Sequence, residues 1–352
     1  MRSMLRPRTI AVLLAVLPLA GFSTEARDWL ERMNRALAER SYDGVFLHMR
    51  GGHSESMRIL HRVRDGETCE RLVSLDGSGR EFVRRGGELS YVLPDQRLVL
   101  TEERPRGAGL LPTFPRIDDR NADFYELSAV KRVRLMDRDA RLIALQPRDP
   151  YRYGYRVWID ARTHMPLKTE LYDSGGVVLE RIAFASLVML RDIPDKTFDL
   201  PAGTERFQKL RSRLVRAEPA QNEQLRVWST ARLPQGFRLT QWGEQTLPGS
   251  DRAMSHLVFS DGLASVSVFI GADMTPGTAA TAVAPQGAAS TVTTVIDGRP
   301  VVVVGEVPIR TARMIASELR AQRLRMLAPA PASPSSPAVP AAPAAPALAP
   351  LP

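Results

Sequence analysis

Residues 69–94, CERLVSLDGSGREFVRRGGELSYVLP, gather a thiol (Cys69), carboxylates (Glu70, Asp76), a hydroxyl (Ser74), several guanidinium groups and a phenol (Tyr91) in one short stretch. A nucleophilic cysteine needs a base such as histidine and an exposed, electropositive setting. Cys69 instead starts a strand-like run with no such partner in view, which is the pattern of a buried small residue. GGHSES (51–56) approaches a serine nucleophile elbow but lacks its final glycine. The histidines are His48, His53, His61, His164 and His256. His53-x-Glu55 with His48 or His61 matches no zinc spacing, and no cysteine pair accompanies it. Glu102-Glu103 and Asp118-Asp119 sit beside loops, where solvated charges are the common case. No phosphate loop or dinucleotide glycine pattern follows a strand. The sequence therefore supports no catalytic residue, no cofactor and no metal site.

The elements that would position these groups are mostly strands. DWLERMNRALAER (28–40) puts Trp29, Leu30, Met33 and Leu37 on one helical stripe, and Asp28 with Glu31 reads as a capping box. Short alternating runs follow, broken by Gly, Asp, Ser or Pro, as hairpin connections are. They predict an antiparallel meander of about ten strands, interrupted by a Pro/Gly-rich loop (104–128) with a short helix near 123–127. One face of these strands is apolar: Met57 and Ile59; Val73 and Leu75; Leu89, Tyr91 and Leu93; Tyr155, Val157 and Ile159; Leu167 and Leu171; Ile182 and Phe184. Such a face must be covered by a second layer or curl into a half-shell. Left unfilled, the shell would hold an acyl chain, and these fourteen residues are the candidates for its lining.

The predicted organisation is a signal peptide (1–26), an N-terminal half-barrel domain (27–205), a linker (206–224), a C-terminal α+β domain (225–328) and a Pro/Ala-rich disordered tail (329–352). The signal rests on Arg2, Arg6 and Arg8, a short apolar run and small residues at 23–26. Cleavage is expected between 20 and 26; removal of residues 1–26 takes away three arginines and Glu25, lowering the net charge from +9 to +7. Nearly all of the positive charge is arginine, since the lysines are Lys131, Lys168, Lys196 and Lys209. An exported chain rarely meets nucleic acid, so an acidic protein face or anionic headgroups are the available partners. One cysteine makes no internal disulfide, and the fold must stand on its own core. In the second domain, turns are expected at Asp261-Gly262 and Asp297-Gly298, followed by a helix starting near Pro308 with Ile309, Ala312, Ile315 and Leu319 on one stripe.

Several blocks in order resemble the RseB/MucB family: ESMRILHR (55–62), ERLVSLDGSGREFVRRGGELSYVLP (70–94), YRYGYRVWIDARTHMPLKTELYDSGGVVLE (151–180), LPQGF (233–237), LVFSDGLASVSVF (257–269) and VGEVPIRTARMIASEL (304–319). The loop at 274–290 and the Pro/Ala tail look peculiar to this chain. The resemblance implies an unclosed barrel with covering helices, similar to the carriers LolA and LppX, plus a smaller second domain. It also implies a periplasmic regulator that binds the periplasmic region of a membrane-spanning anti-sigma factor (RseA/MucA), shields it from proteolysis and restrains the sigma-E (AlgU) response. Lipid or lipopolysaccharide-type ligands would release that hold. Arg211, Arg213, Arg216, Arg226, Arg310 and Arg313 are the candidates to meet acidic groups of the partner. A periplasmic lipid or lipoprotein carrier is the alternative, which leaves the C-terminal domain without a role. Homo-oligomerisation stays open.

Overall fold

The computed structural model describes residues 20–103, 109–111, 114–212, 228–246, 253–271 and 282–321. Helix α1 (Ala20–Glu39) starts earlier than the sequence pattern suggests. Ala26, Leu30, Met33 and Ala36 are buried along it, so Ala26 extends the apolar stripe by one turn. Asp28 is therefore no cap: it lies inside the helix and pairs with Arg32 at 3.6 Å, four residues on.

The N-terminal strands are β1 (Tyr42–Arg50), β2 (His53–Arg64), β3 (Glu67–Ser74), β4 (Glu81–Arg85), β5 (Glu88–Leu93), β6 (Leu98–Glu103), β7 (Tyr125–Leu127), β8 (Lys131–Leu135), β9 (Arg138–Pro147), β10 (Gly154–Asp160), β11 (Pro166–Tyr172), β12 (Val178–Met189) and β13 (Gln208–Ser212). Among the described residues they form one sheet in the order β13-β6-β5-β4-β3-β2-β1-β12-β11-β10-β9-β7, with β8 also beside β9. The arrangement is not a single meander. β12 returns to pair with β1, joining two runs of hairpins at the middle of the sheet. The two ends, β13 and β7, do not meet, so the barrel is unclosed. Bulges at Val45/Phe46, Trp158/Ile159 and Leu171/Tyr172 bend the central strands. The expected linker also differs, because Gln208–Ser212 pairs in parallel with β6. Residues 213–227 lie outside the described residues. At 122–127 a short 3-10 turn (Ala122–Phe124) leads straight into β7.

The C-terminal domain contains β14 (Trp228–Thr230), β15 (Arg238–Thr246), β16 (Ala253–Ser260), β17 (Ser265–Ile270), β18 (Ala282–Gln286), β19 (Ala289–Ile296), β20 (Arg299–Gly305), α2 (Ile309–Glu318) and β21 (Leu319–Ala321). Six of these strands form a sheet ordered β15-β16-β17-β20-β19-β18, and β14 pairs with β21. Helix α2 buries Ala312, Ile315 and Ala316 against it, in a core with Val266, Val268, Val301 and Val303. The predicted Asp297-Gly298 turn is present, both residues having positive φ (51° and 76°), which matches the twist of the flanking strands. Part of the 274–290 segment is not loop, since Ala282–Gln286 pairs with β19. The Pro/Ala tail and residues 1–19 lie outside the described residues.

Candidate binding site at the domain junction

The curved sheet points most of the predicted apolar set inward. Met57, Ile59, Leu167, Ile182 and Phe184 share one buried cluster with Ala36 of α1, and Leu37, Leu110 and Leu111 pack against it. Val157 and Ile159 belong to a second cluster with Leu30 and Met33 of α1. Leu89 is buried, whereas Tyr91 and Leu93 are half-buried. Val73 and Leu75 face the other way. Residues Glu70, Leu72 and Ser74 of β3 are buried, and alternation sends Val73 outward; Leu75, just beyond the strand, is 47% exposed. The concave face is consequently filled over most of its area by α1 and the 109–111 segment, contrary to an empty shell.

What remains is a cavity of about 240 Å³ between the domains. The sheet contributes Tyr155, Thr169, Leu171, Glu180 and Ile182; the second domain contributes Leu263 to Ser265, Ser267 and Val304 to Glu306. Of the fourteen predicted lining residues, three (Tyr155, Leu171, Ile182) reach it. Two polar contacts stand at its edge. The Glu180 carboxylate meets His48 Nε2 at 2.7 Å, and Glu306 meets Arg50 at 3.0 Å. Partial loss of water and the nearby Glu180 charge push Glu306 up, against the pull of Arg50 and His48. Burial pushes the Tyr155 phenol up as well, and the Glu306, Asp261 and Glu180 carboxylates add to that shift.

The domains are welded beside the cavity. Arg152, in the β9–β10 connection, is fully buried: it donates to Asp261 Oδ2 (2.7 Å), to Asp149 Oδ2 (2.8 Å) and to the Gln235 carbonyl (2.6 Å). Its guanidinium lies 4.5 Å from the centre of the Phe124 ring. Asp261 is equally buried, and its Oδ1 accepts the Leu263 and Ala264 N–H groups. Leu263 inserts into the α1 cluster of the first domain. The Tyr153 hydroxyl donates to the Val307 carbonyl, and the Thr311 hydroxyl to that of Tyr151. Gly236 has φ +84°, and a Cβ there would stand 2.2 Å from the Phe124 ring, so only glycine fits.

A second polar cluster lies inside the shell. The buried Glu70 takes Nη1–H of Arg84 at 3.0 Å and the Leu110 N–H at 3.1 Å. His61 stacks on Tyr42 and donates from Nδ1 to the Arg40 carbonyl, with Nε2 3.8 Å from Glu70. Burial lowers His61 to about 4, with Arg84 adding to the shift, and burial raises Glu70 against the opposing pull of Arg84. Cys69 is buried and free among Val83, Ile193 and Phe198. The histidines once grouped around Glu55 do not converge, as Glu55 bonds Ser74 and Arg80. Among the described residues no group of three or more His, Cys, Asp or Glu side chains is placed to hold a metal.

Of the partner candidates, Arg211 is on β13 and pairs with Glu88 at 3.1 Å. Arg310 and Arg313 are exposed on α2. Arg213, Arg216 and Arg226 lie outside the described residues. The junction residues Arg152 and Asp261 escaped sequence reasoning because partners 109 residues apart carry no local signal.

An unclosed half-barrel with a welded α+β module, and contacts built for holding groups in place, defines a two-domain binding protein. Family comparison gives the particular kind. The MucB/RseB N-terminal domain matches residues 25–202 and the MucB/RseB C-terminal domain matches residues 222–320, so the chain belongs to the MucB/RseB family. It is 33% identical over 306 residues to the sigma factor AlgU regulatory protein MucB of Pseudomonas aeruginosa, covering 85% of this chain and 92% of that protein. It is 28% identical to the sigma-E factor regulatory protein RseB of Escherichia coli K12, covering 83% of this chain and 89% of the relative. Among solved structures, MucB in complex with MucA(peri) superposes with a TM-score of 0.66 at 30% identity, over 85% of this chain and 99% of that one. The Pseudomonas aeruginosa MucA/MucB complex gives 0.67 at 29% identity, over the same shares.

Proposed function

We propose that this chain is a periplasmic regulator that binds the periplasmic region of a membrane-spanning anti-sigma factor of the MucA/RseA type. By holding that segment it shields it from regulated proteolysis and restrains the envelope-stress sigma-E response; lipid or lipopolysaccharide-type ligands release it. The observation that carries this reading is membership of the family through both domains in order, with a fold match to MucB solved with MucA bound. Regulation of this kind needs a ligand and a partner that prefer different arrangements of the protein, since equal affinity for both shifts nothing. The reading makes the chain a binding protein and not an enzyme.

The carrier alternative is not favoured. A carrier needs an emptied concave face, and here α1, Leu110 and Leu111 fill it. The remaining cavity, about 240 Å³, falls below the ~300–1,000 Å³ usual for small-molecule sites. Calorimetry of the full chain with the periplasmic fragment of the anti-sigma factor tests the proposal: a stoichiometric complex supports it, and no heat at any ratio removes it. Arg310 and Arg313 are our candidates for contact with acidic groups of the partner. Their joint replacement by alanine is expected to weaken the complex and flatten its loss with salt; unchanged affinity would take them out of the interface.

A further inference from the structure

The junction cavity has a chemistry that the shell around it lacks. Two carboxylates, Glu180 and Glu306, line it; Glu180 meets His48 Nε2 at 2.7 Å and Glu306 meets Arg50 at 3.0 Å. Thr169 also lines it. That residue is 7% exposed, yet its buried Oγ1 has no hydrogen-bond partner among the described residues. A buried hydroxyl left unpaired costs about 1–3 kcal/mol, so its presence at a cavity wall marks a place where a ligand donor would be welcome. Beside these acceptors the wall is apolar, formed by Tyr155, Leu171 and Ile182.

We propose that this cavity is a binding site for a primary alkylammonium group, with its charge at Glu180, Glu306 and Thr169 and its aliphatic stem against Tyr155, Leu171 and Ile182. An ammonium carries three donors; the two carboxylates keep lone pairs beyond those that face His48 and Arg50, beside the unpartnered Thr169 Oγ1. A metal ion is the poorer match, since no group of three ligating side chains forms among the described residues. Burial raises the Tyr155 phenol, and the Glu306, Asp261 and Glu180 carboxylates add to that shift. The volume, about 240 Å³, suits one long side chain or a headgroup amine rather than a whole lipid. Because both domains line the cavity, an occupant would bridge them. The inference rests on the cavity alone and does not depend on the anti-sigma reading.

The test is an NMR titration of the full chain, following the backbone amides of Ser265, Ser267 and Gly305. n-Pentylamine is expected to shift them saturably and 1-pentanol to leave them unmoved. Glu306→Gln, at a half-exposed position that the fold tolerates, should weaken the amine about tenfold, equal to about 1.4 kcal/mol. Thr169→Val should weaken it about fivefold, the worth of one hydrogen bond. Two further probes separate the sources of the amine. Saturation by Nα-acetyl-lysine N-methylamide assigns a lysine side chain of a peptide, and saturation by O-phosphoethanolamine assigns a lipid headgroup. Equal binding of pentanol and pentylamine, unchanged amine affinity in Glu306→Gln, or no response to any of the amines would overturn the site.

Discussion

Among the described residues, two arginine–carboxylate pairs are buried on both sides, and they are wired differently. Inside the shell, Arg84 and Glu70 meet at 3.0 Å with side chains 2% and 3% exposed. At the junction, Arg152 and Asp261 meet at 2.7 Å, both fully buried. Taking each ion from water costs several kcal/mol, which attraction offsets only when the remaining lone pairs and protons find partners. Asp261 has them, through two backbone N–H groups, and Arg152 has them through Asp149 and Gln235. Glu70 is less well supplied, and burial raises its pKa. The contrast also concerns how strain is relieved. Breaking the shell pair is relieved only by unfolding that domain or by moving a proton, whereas breaking the junction pair is relieved by separating two domains that each keep a core of their own.

The largest expected effect follows from that asymmetry. Arg152→Met leaves Asp261 charged and buried, destabilising the docked arrangement by about 3–5 kcal/mol. Small-angle scattering should show an expanded particle, while circular dichroism keeps the strand signal. Loss of folded structure in place of expansion would break the comparison. Gly236→Ala acts at the same seam by a different route. It combines a left-handed backbone (φ +84°) with a Cβ 2.2 Å from the Phe124 ring, and is expected to cost about 2–4 kcal/mol with the same expansion.

Arg84→Met should cost less, about 1–3 kcal/mol, because Glu70 is already displaced toward its neutral form and takes up a proton when its cation goes. Urea denaturation of the N-terminal transition measures it. If Arg84→Met proves as costly as Arg152→Met, the supply of extra donors is not what separates the two pairs.

How much of this was readable beforehand depends on distance along the chain. The hairpins, the Asp297-Gly298 turn and the inward parity of Ile59, Leu89 and Val157 follow from residues a few positions apart. The parity of β3 did not follow, because its inward set, Glu70, Leu72 and Ser74, includes a charge and a hydroxyl, while the outward Val73 and Leu75 look like core. Hydrophobicity therefore selects the wrong face wherever a sheet buries a polar cluster. Pairing of β1 with β12 and of Arg152 with Asp261 joins residues more than a hundred apart. So does the cavity, whose chemical identity exists only after β12 and β20 bring Glu180 and Glu306 together.

His61 sharpens the account of the shell pair through pH. Its folded pKa, about 4, lies below the ordinary 6.5, mainly because it is buried. The unfolded chain therefore binds a proton first as pH falls, and stability is lost between about 6.5 and 4 and levels off below. For this residue the loss is about 2 kcal/mol at pH 5, with none at pH 8. The raised Glu70 acts in the opposite direction, since the folded state holds its proton to higher pH than the unfolded chain does. His61→Phe keeps the stack on Tyr42 and removes the histidine's share. Denaturation midpoints at pH 8 and pH 5 should then converge relative to the parent, and a parent-like slope would mean that His61 is not the group titrating.

The smallest effect isolates the medium from the geometry. Arg58 and Asp43 form a forked pair at 2.6 and 3.0 Å, as close as either buried pair, but with side chains 48% and 24% exposed. Water screens the attraction and already solvates both ions, so removing one partner leaves no stranded charge. Arg58→Ala is accordingly expected to cost about 0.2–1 kcal/mol, less in 1 M salt than in 0.1 M. Urea denaturation at the two salt concentrations reads both quantities. A salt-independent loss above about 2 kcal/mol would show that hydrogen-bond geometry, and not burial, sets the ranking of the three pairs.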